Sequence, residues 1–349
     1  MTQTNNTADQ HHGAPAGGDA APKSERKIDW VNQAERYGLI LAWGVVIIFF
    51  SIVGPSSFLS WPTFSSIIFG SQGVLLMLTL ALIIPLSSGD FDLSIANVLI
   101  FSAMLLMVLN RTAGVAEWPL LLVIPLCMVM GLLVGLVNAF FIIVFRIHSL
   151  IVTLGTGSIL QGLTFWISSS QTLAGVDNTL IEWVIVKRLF SIPLAFYYAM
   201  ALGVVIWYVF EYTAAGRRLM FVGRGREVAR LSGIRVSRVR AMSLMASGTI
   251  AALAGIISVG TTGAADPLSG NLLLLPAFAA AFLGATSIVP GRFNPLGSIL
   301  AVFFLVTGIT GLNFLGANTF VQNLFNGAAL VLAVALSQLV RGRQEQSLT

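Results

Sequence analysis

Apolar and polar positions in this chain fall into long blocks rather than short alternations. Ten mostly apolar blocks, at approximately 37–57, 65–87, 93–110, 119–145, 150–169, 191–212, 242–260, 271–288, 295–314 and 319–340, are separated by short polar breaks. A hydrocarbon core roughly 30 Å thick needs about 20 such residues per helix, and most of the blocks reach that length. Strands of a membrane barrel would alternate at period two; "LLLVIPLCMVMGLLVGLVNAFFIIVF" (120–145) does not. The pattern predicts an all-α, polytopic membrane protein with about ten transmembrane helices. Blocks two and three flank "SSGDFDLS" (87–94), where a broken or re-entrant element is the other reading.

Composition agrees. The chain is 56% hydrophobic and only 9% charged, against about 25% charged residues in a soluble domain. Where the few charges fall sets a topology. Ten spans put both termini on one side. With that side cytoplasmic, sixteen lysines and arginines lie inside: Lys23, Arg26, Lys27, Arg36, Arg146, the eight arginines from Arg217 to Arg240, Arg292, Arg341 and Arg343. Only Arg111, Lys187 and Arg188 lie outside, a strong positive-inside bias. Residues 1–36 are polar and rich in Gly, Ala and Pro, without the apolar stretch of a secretory signal. They read as a disordered cytoplasmic tail, 37–340 as the transmembrane domain, and 341–349 as a cytoplasmic C-terminal tail.

Half of the sixteen arginines sit in the cytoplasmic loop 213–241. "REVARLSG" (226–233) is helix-compatible, with Val228 and Leu231 three apart on one face and Gly233 where a left-handed stop usually sits. "SRVRAMSLM" restarts with Ser237 as a plausible cap for the seventh span. The loop is therefore a basic elbow of short helices. Topogenesis and attraction to anionic membrane lipid account for part of the charge, but neither calls for a helix–Gly–helix pattern. No aromatic or recognition-helix pattern accompanies the charge, which argues against nucleic acid. "GRGREV" lacks the third glycine and the preceding strand of a dinucleotide fingerprint.

Other chemistry is sparse. The chain has no phosphate loop, no H-E-x-x-H, no G-x-S-x-G elbow and no Cys/His cluster of zinc spacing. No metal, cofactor or catalytic residue is expected, and the chain does not read as an enzyme. His11 and His12 lack a third ligand nearby, Cys127 reads as helix filler, and His148 as an interfacial residue beside Arg146. Intramembrane acids usually mark function. The two candidates are Asp90 and Asp92, either caps for the following helix or ion sites of a stand-alone, ion-coupled secondary transporter. Glu117, Asp177, Glu182, Glu211, Glu227, Asp266 and Glu345 lie in loops, tails or span ends.

Four ordered stretches resemble the membrane permease subunits of ribose/xylose-type (monosaccharide) ATP-binding-cassette (ABC) importers, over about residues 60–340. "EVARLSGIRVSRVRAMSLMASGTIAALAGII" (Glu227–Ile257) is similar to that family's A-x-R-L-S-G-I-x-V segment and the small-residue helix after it. "GDFDLSIANVL" resembles its G-x-D-L-S-V-G-S element, with Asp92, Leu93 and Ser94 in register. "VTLGTGSILQGLTF" (Val152–Phe165) resembles its T-L-G-T-x-x-x-x-x-G-L helix, and "FLGATSIVPGRFNPLGSILA" its glycine-rich L-G-G-T-S turn. The chain departs from the pattern at Ile95, Ala96 and Asn97, at Pro290, Phe293, Asn294 and Pro295, and in the extra acid Asp90.

The resemblance implies a homodimeric permease, or one paired with a related permease, in the bacterial plasma (inner) membrane. It implies a cytoplasmic ATPase that grips Arg226, Glu227, Arg230, Leu231, Ser232, Gly233, Ile234 and Arg235, and a periplasmic sugar-binding protein. On this reading Val228, Leu231 and Ile234 fill an apolar groove on the ATPase while Arg226, Arg230 and Arg235 steer docking. Gly89, Asp92, Leu93 and Ser94 form a turn near the path. The binding protein meets the outer loop 170–190, with Asp177 and Glu182, and "GAADPLSG" (Gly263–Gly270). Polar or aromatic residues inside spans are candidates for the sugar path: Gln72, Asn97, Asn138, Gln161, Trp166 and Asn313. Each could equally bond helix to helix.

Overall fold

The computed structural model describes residues 30–110 and 118–346. His11, His12, most of the N-terminal tail, Arg111 and Glu117 lie outside the described residues.

Thirteen helices make up nearly all of the described chain: α1 Trp30–Val53, α2 Gly73–Ser87, α3 Ile95–Asn110, α4 Leu120–Val144, α5 Ser149–Ser168, α6 Asn178–Ile181, α7 Leu194–Tyr212, α8 Ala214–Arg224, α9 Arg226–Leu231, α10 Val236–Thr262, α11 Asn271–Gly284, α12 Pro295–Phe314 and α13 Thr319–Gln346. A π-helical stretch, Thr63–Phe69, and a 3-10 turn, Gly70–Gln72, lead into α2 and make it one 25-residue span with them. A 3-10 turn, Ser56–Leu59, a second π-helical stretch, Glu182–Val186, and four two-residue strands complete the described fold: β1 Leu173–Ala174, β2 Arg188–Leu189, β3 Ile192–Pro193 and β4 Ala264–Ala265. β1 pairs antiparallel with β4, and β2 with β3.

Among the described residues, eight helices are long and apolar enough to cross a membrane, and α3 and α11 are shorter apolar helices. The ten expected apolar blocks are all helical, but these two are shorter than a full span. Both are largely buried, in contact with α2, α10 and α12 between them, so neither has to reach across the bilayer on a lipid-facing side. Two boundaries also shift. α1 starts at Trp30, inside the expected tail, and α13 runs on through Arg341 and Arg343 to Gln346.

Every residue of α2 is buried. A helix apolar all round belongs in an interior, and α2, α10 and α12 form this one, with α1 and α13 on the periphery. Small residues hold it together. Gly131 and Gly135 of α4 face Gly248 and Leu244 of α10 so closely that a Cβ on any of the three glycines would collide with a carbonyl oxygen across the interface. Gly255 meets Leu99 of α3 in the same way. Small residues let backbones approach where dispersion, not hydrophobic burial, drives association. Gly248→Val is therefore expected to cost on the order of 3 kcal/mol and to lower the yield of folded protein. Gly162→Ala, with open space around the new methyl, should be neutral. Thermal unfolding of both variants in detergent checks this.

α10 is about 40 Å long and sets two ends of the bundle. The elbow α8–α9 lies at its start and the β1–β4 pair at its finish. Arg146, Arg292 and the backbone of Arg36 sit at the elbow end, whereas Lys187 precedes β2 and Arg188 begins it at the other.

Candidate functional site: a buried polar junction under the elbow

The link Ser88–Ser94 between α2 and α3 is non-helical, yet its polar side chains Ser88, Asp90, Asp92 and Ser94 are all buried. Irregular backbone at such a position persists only when its polar groups find partners in the protein. α5 supplies them from one face. Ser149 Oγ accepts the amide of Phe91 at 3.0 Å, and Thr153 Oγ1 that of Leu93 at 3.1 Å. The spacing i, i+4 puts both hydroxyls on the same side of α5. The T-L-G-T and D-L-S stretches thus grip each other directly.

Asp92 is completely buried. Its Oδ1 accepts from the Ser94 amide at 3.1 Å and from Ser94 Oγ at 2.6 Å; its Oδ2 accepts from Ser247 Oγ of α10 at 2.9 Å. Burial raises its pKa, while the donors from Ser94 and Ser247 pull it the other way. The expected cap role is corrected in detail. α3 begins at Ile95, so Ser94 occupies the capping position, and Asp92 braces Ser94 and α10 rather than the first-turn amides. Asn138 of α4 extends the network, donating from Nδ2 to Ser94 Oγ at 2.9 Å and accepting from the Thr156 hydroxyl of α5.

Asp90 does something different. Its side chain is 1% exposed and holds two guanidinium groups. Arg240 of α10 binds bidentately, Nε to Oδ2 at 2.7 Å and Nη2 to Oδ1 at 2.6 Å. Arg226 of α9 reaches Oδ1 at 3.0 Å and the Gly89 carbonyl at 2.8 Å. Bidentate charge-assisted contacts are the strong class of hydrogen bond. Asp90 therefore pins the elbow to the α2–α3 link and to the start of α10. A second clasp joins Arg292, in the turn before α12, to Glu211 at the end of α7 and to Met220 Sδ of α8. Asn294 shapes that turn by capping α12 through Gly297 N and donating to the carbonyls of Gly284 and Ser287.

The elbow has the expected form, with one change. α9 ends at Leu231 and Gly233 follows at φ +79°, the left-handed stop. α10 starts at Val236, so Ser237 lies inside the helix and Arg235 takes the cap position without a side-chain bond. Leu231 is 88% exposed and Val228 is exposed beside it, while Ile234 is half-buried. Arg230 faces outward and pairs with Glu227 at 3.7 Å, and Arg235 is exposed. Arg226, expected to point at a partner, is turned inward to Asp90. Between the elbow and the α4–α5 turn lies a cleft of about 770 Å³ lined by Arg146, Arg226, Arg230, Arg235 and Arg240, with Asp90 as its one carboxylate. His148 also lines it, and its Nδ1 caps α5 at the Leu150 amide. Cys127 is buried in α4 against the Ser102 carbonyl.

The six path candidates are not gathered in one place. Asn138 belongs to the junction. Gln161 of α5 braces the far end, donating to the Pro267 carbonyl at 2.8 Å and accepting from Asn271 at 3.2 Å. Trp166 is 77% exposed on the outside of the bundle. Gln72 bonds its own helix through Ser71 and Ile67, and Asn313 accepts from Gln322 at 2.6 Å. Asn97 alone among the six keeps a buried oxygen, Oδ1, without a partner. The two stretches expected to meet a receptor are joined, since Leu173 pairs with Ala265 and Ala174 with Ala264.

If Asn138 is structural, Asn138→Ala should cost about 1–3 kcal/mol by removing its two hydrogen bonds, to Ser94 Oγ and from the Thr156 hydroxyl, from the buried network. The check is a lowered unfolding midpoint with unchanged substrate concentration dependence in whatever uptake remains.

The Asp90–arginine junction was not visible in the sequence, because 136 and 150 residues separate the partners. The usable signal was weaker: an extra acid at a span boundary on the same side as the arginine run.

A family model described as "Branched-chain amino acid transport system / permease component" matches residues 64–334. Among curated proteins, the D-allose transport system permease protein AlsC of Escherichia coli (strain K12) is 26% identical over 306 residues, 88% of this chain and 92% of its own length. The autoinducer 2 import system permease protein LsrD of Yersinia pseudotuberculosis is 28% identical over 263 residues, 74% and 78% of the two chains. A probable ABC transporter permease protein, y4mJ, of Sinorhizobium fredii is 25% identical over 328 residues, 93% and 96%. No solved structure matches the chain. The protein is an integral inner-membrane transport subunit and not an enzyme, nucleotide hydrolysis being the task of a separate ATPase. The long apolar helices, the braced basic elbow and a match over most of its length together place the chain in the family of permease components of branched-chain amino acid transport systems, as the membrane subunit of an ABC importer.

Proposed function

We propose that the chain forms the translocation path for a monosaccharide or related polyol, and that the elbow receives the ATPase stroke and passes it to the inner helices through Asp90. The observation that carries this reading is the junction itself. An exposed apolar pair, Val228 and Leu231, sits on a six-residue helix whose first residue, Arg226, is tied by the same carboxylate to α10 and the α2–α3 link. A push on α9 has a stiff, charged route into the core. The docking set is Glu227, Arg230, Leu231, Ser232, Gly233, Ile234 and Arg235, with Arg226 as the brace behind it.

A neutral, hydroxyl-rich substrate suits the interior. Every acid whose side chain is described has a partner. Asp177 caps α6, Glu182 pairs with Lys187, Glu211 with Arg292, Glu227 with Arg230, and Asp266 accepts the Leu268 amide. Asp90 and Asp92 are occupied as described, so neither is free to hold the ammonium of an amino acid or a coupling cation. Asn97, with its unpartnered oxygen, is the path candidate that remains, and AlsC, a relative over most of the chain, carries D-allose in its name. The elbow end, with its arginines, faces the cytoplasm; the β1–β4 end meets a periplasmic binding protein. A second copy, or a related permease, completes the path.

The test is uptake in cells carrying the permease, its ATPase and its binding protein, with monosaccharides, polyols and branched-chain amino acids offered separately. The proposal expects sugar or polyol uptake that vanadate stops and a protonophore spares. Uptake of a branched-chain amino acid alone would overturn the substrate class, and the opposite inhibitor pattern would overturn the coupling.

A further inference from the structure

A second cleft, of about 630 Å³, opens between α7, α8 and α10 on the flank of the elbow. Its walls are apolar. Val205 and Val209 line it from α7, Met242, Ala246 and Ile250 from α10, each set at helical spacing on one face. Ile84 of α2 and Leu219 of α8 contribute as well. At the elbow end the character changes, and Arg218, Arg235 and Arg238 line the cleft there. No carboxylate lines it, and among the described residues none of these three arginines has an ion pair.

Length makes this pattern specific. From Arg238 to Ile250 the axis of α10 rises about 18 Å. Half of a hydrocarbon core roughly 30 Å thick is about 15 Å. The cleft as a whole spans about one leaflet, its apolar wall from Met242 to Ile250 rising about 12 Å and its guanidinium groups lying at the elbow end. Val205 and Met242 are exposed, so the slot opens to the flank of the bundle, where lipid is present at all times. Basic pockets between helices favour anionic headgroups, and guanidinium groups match phosphate oxygens.

We propose that this cleft holds one anionic phospholipid of the cytoplasmic leaflet, its chain along α7 and α10 and its headgroup on Arg218 and Arg238, with Arg235 left to the docking set. A lipid seated there touches both α10 and the elbow, so the anionic lipid content of the membrane would bear on the stiffness of the elbow. The inference depends on the membrane placement of the chain and stands independently of the substrate proposed above.

Native mass spectrometry of the full chain in detergent, with equal phosphatidylglycerol and phosphatidylcholine of matched chains, tests it. The expected result is one phosphatidylglycerol retained per chain in preference to phosphatidylcholine. Arg218→Gln with Arg238→Gln should reduce that retention about thirtyfold, at about 1 kcal/mol per arginine, and both positions are exposed, so folding is not at stake. Ala246→Trp, which fills the slot, should displace lipid of either class. Equal retention of the two lipids, or undiminished phosphatidylglycerol on the double arginine variant, overturns the proposal. So does an Ala246→Trp chain that keeps its lipid but loses its oligomeric state, which would make the cleft an interface between copies.

Discussion

Asp90→Asn is expected to abolish ATP-driven uptake in a chain that still inserts into the membrane. The carboxylate is buried and carries three contacts from two arginines. Removing one side of a buried ion pair costs about 3–5 kcal/mol, because the charge left behind is neither solvated nor paired. Here the stranded group is chiefly Arg240, whose side chain is 14% exposed. Arg226 is nearly half exposed and recovers part of its hydration. Arg226→Gln should consequently be the milder change, leaving Asp90 its bidentate partner. Combining Asp90→Asn with Arg240→Gln removes the unpaired charge and should restore thermal stability in part, without restoring transport, since the elbow is no longer braced. The readouts are the unfolding midpoint and uptake, measured on the same preparations. Full uptake in Asp90→Asn would remove the junction from the mechanism.

Leu231→Asp is expected to eliminate uptake by the opposite route, with no loss of stability. Leu231 is the most exposed residue of the elbow's apolar face, so an acid there meets water in the isolated permease and changes its stability by no more than about 0.5 kcal/mol. Docked against an apolar groove the same carboxylate is desolvated without a partner, which costs several kcal/mol. Co-purification of the ATPase should fall below detection while the unfolding midpoint of the permease stays put. The two variants therefore fail differently: Asp90→Asn keeps its ATPase and loses transmission, and Leu231→Asp loses the ATPase. A Leu231→Asp chain that retains its ATPase and transports normally removes the docking role.

The difference between these residues also shows where sequence reading succeeds and where it stops. Ten apolar blocks are legible because the hydrocarbon core imposes a length, and the elbow because a glycine stop after "REVARLS" has a local cause. Burial is not legible in the same way. α1 and α2 are similarly apolar, yet one is peripheral and the other wholly buried, because lipid and protein interior select the same side chains. Small residues mark where backbones touch, as Gly131 and Gly135 do against α10, but they do not mark burial: α2 carries few of them and is wholly buried. Polar residues inside spans were the least legible. Asn138, Gln161 and Trp166 qualified equally on composition, and the fold sent them to a buried network, to the brace of a loop and to the outer surface of the bundle. Each destination depends on which helices cross near that residue. Crossings are set by the sum of packing contacts, which no single motif records.

Vesicles containing the permease alone, and vesicles containing it with its ATPase, binding protein and ATP, separate the competing energy sources most directly. The account predicts uphill accumulation of sugar or polyol only in the second set, and only with an intact Leu231 and Asp90. Accumulation by the chain alone, driven by an imposed proton or sodium gradient, would contradict it.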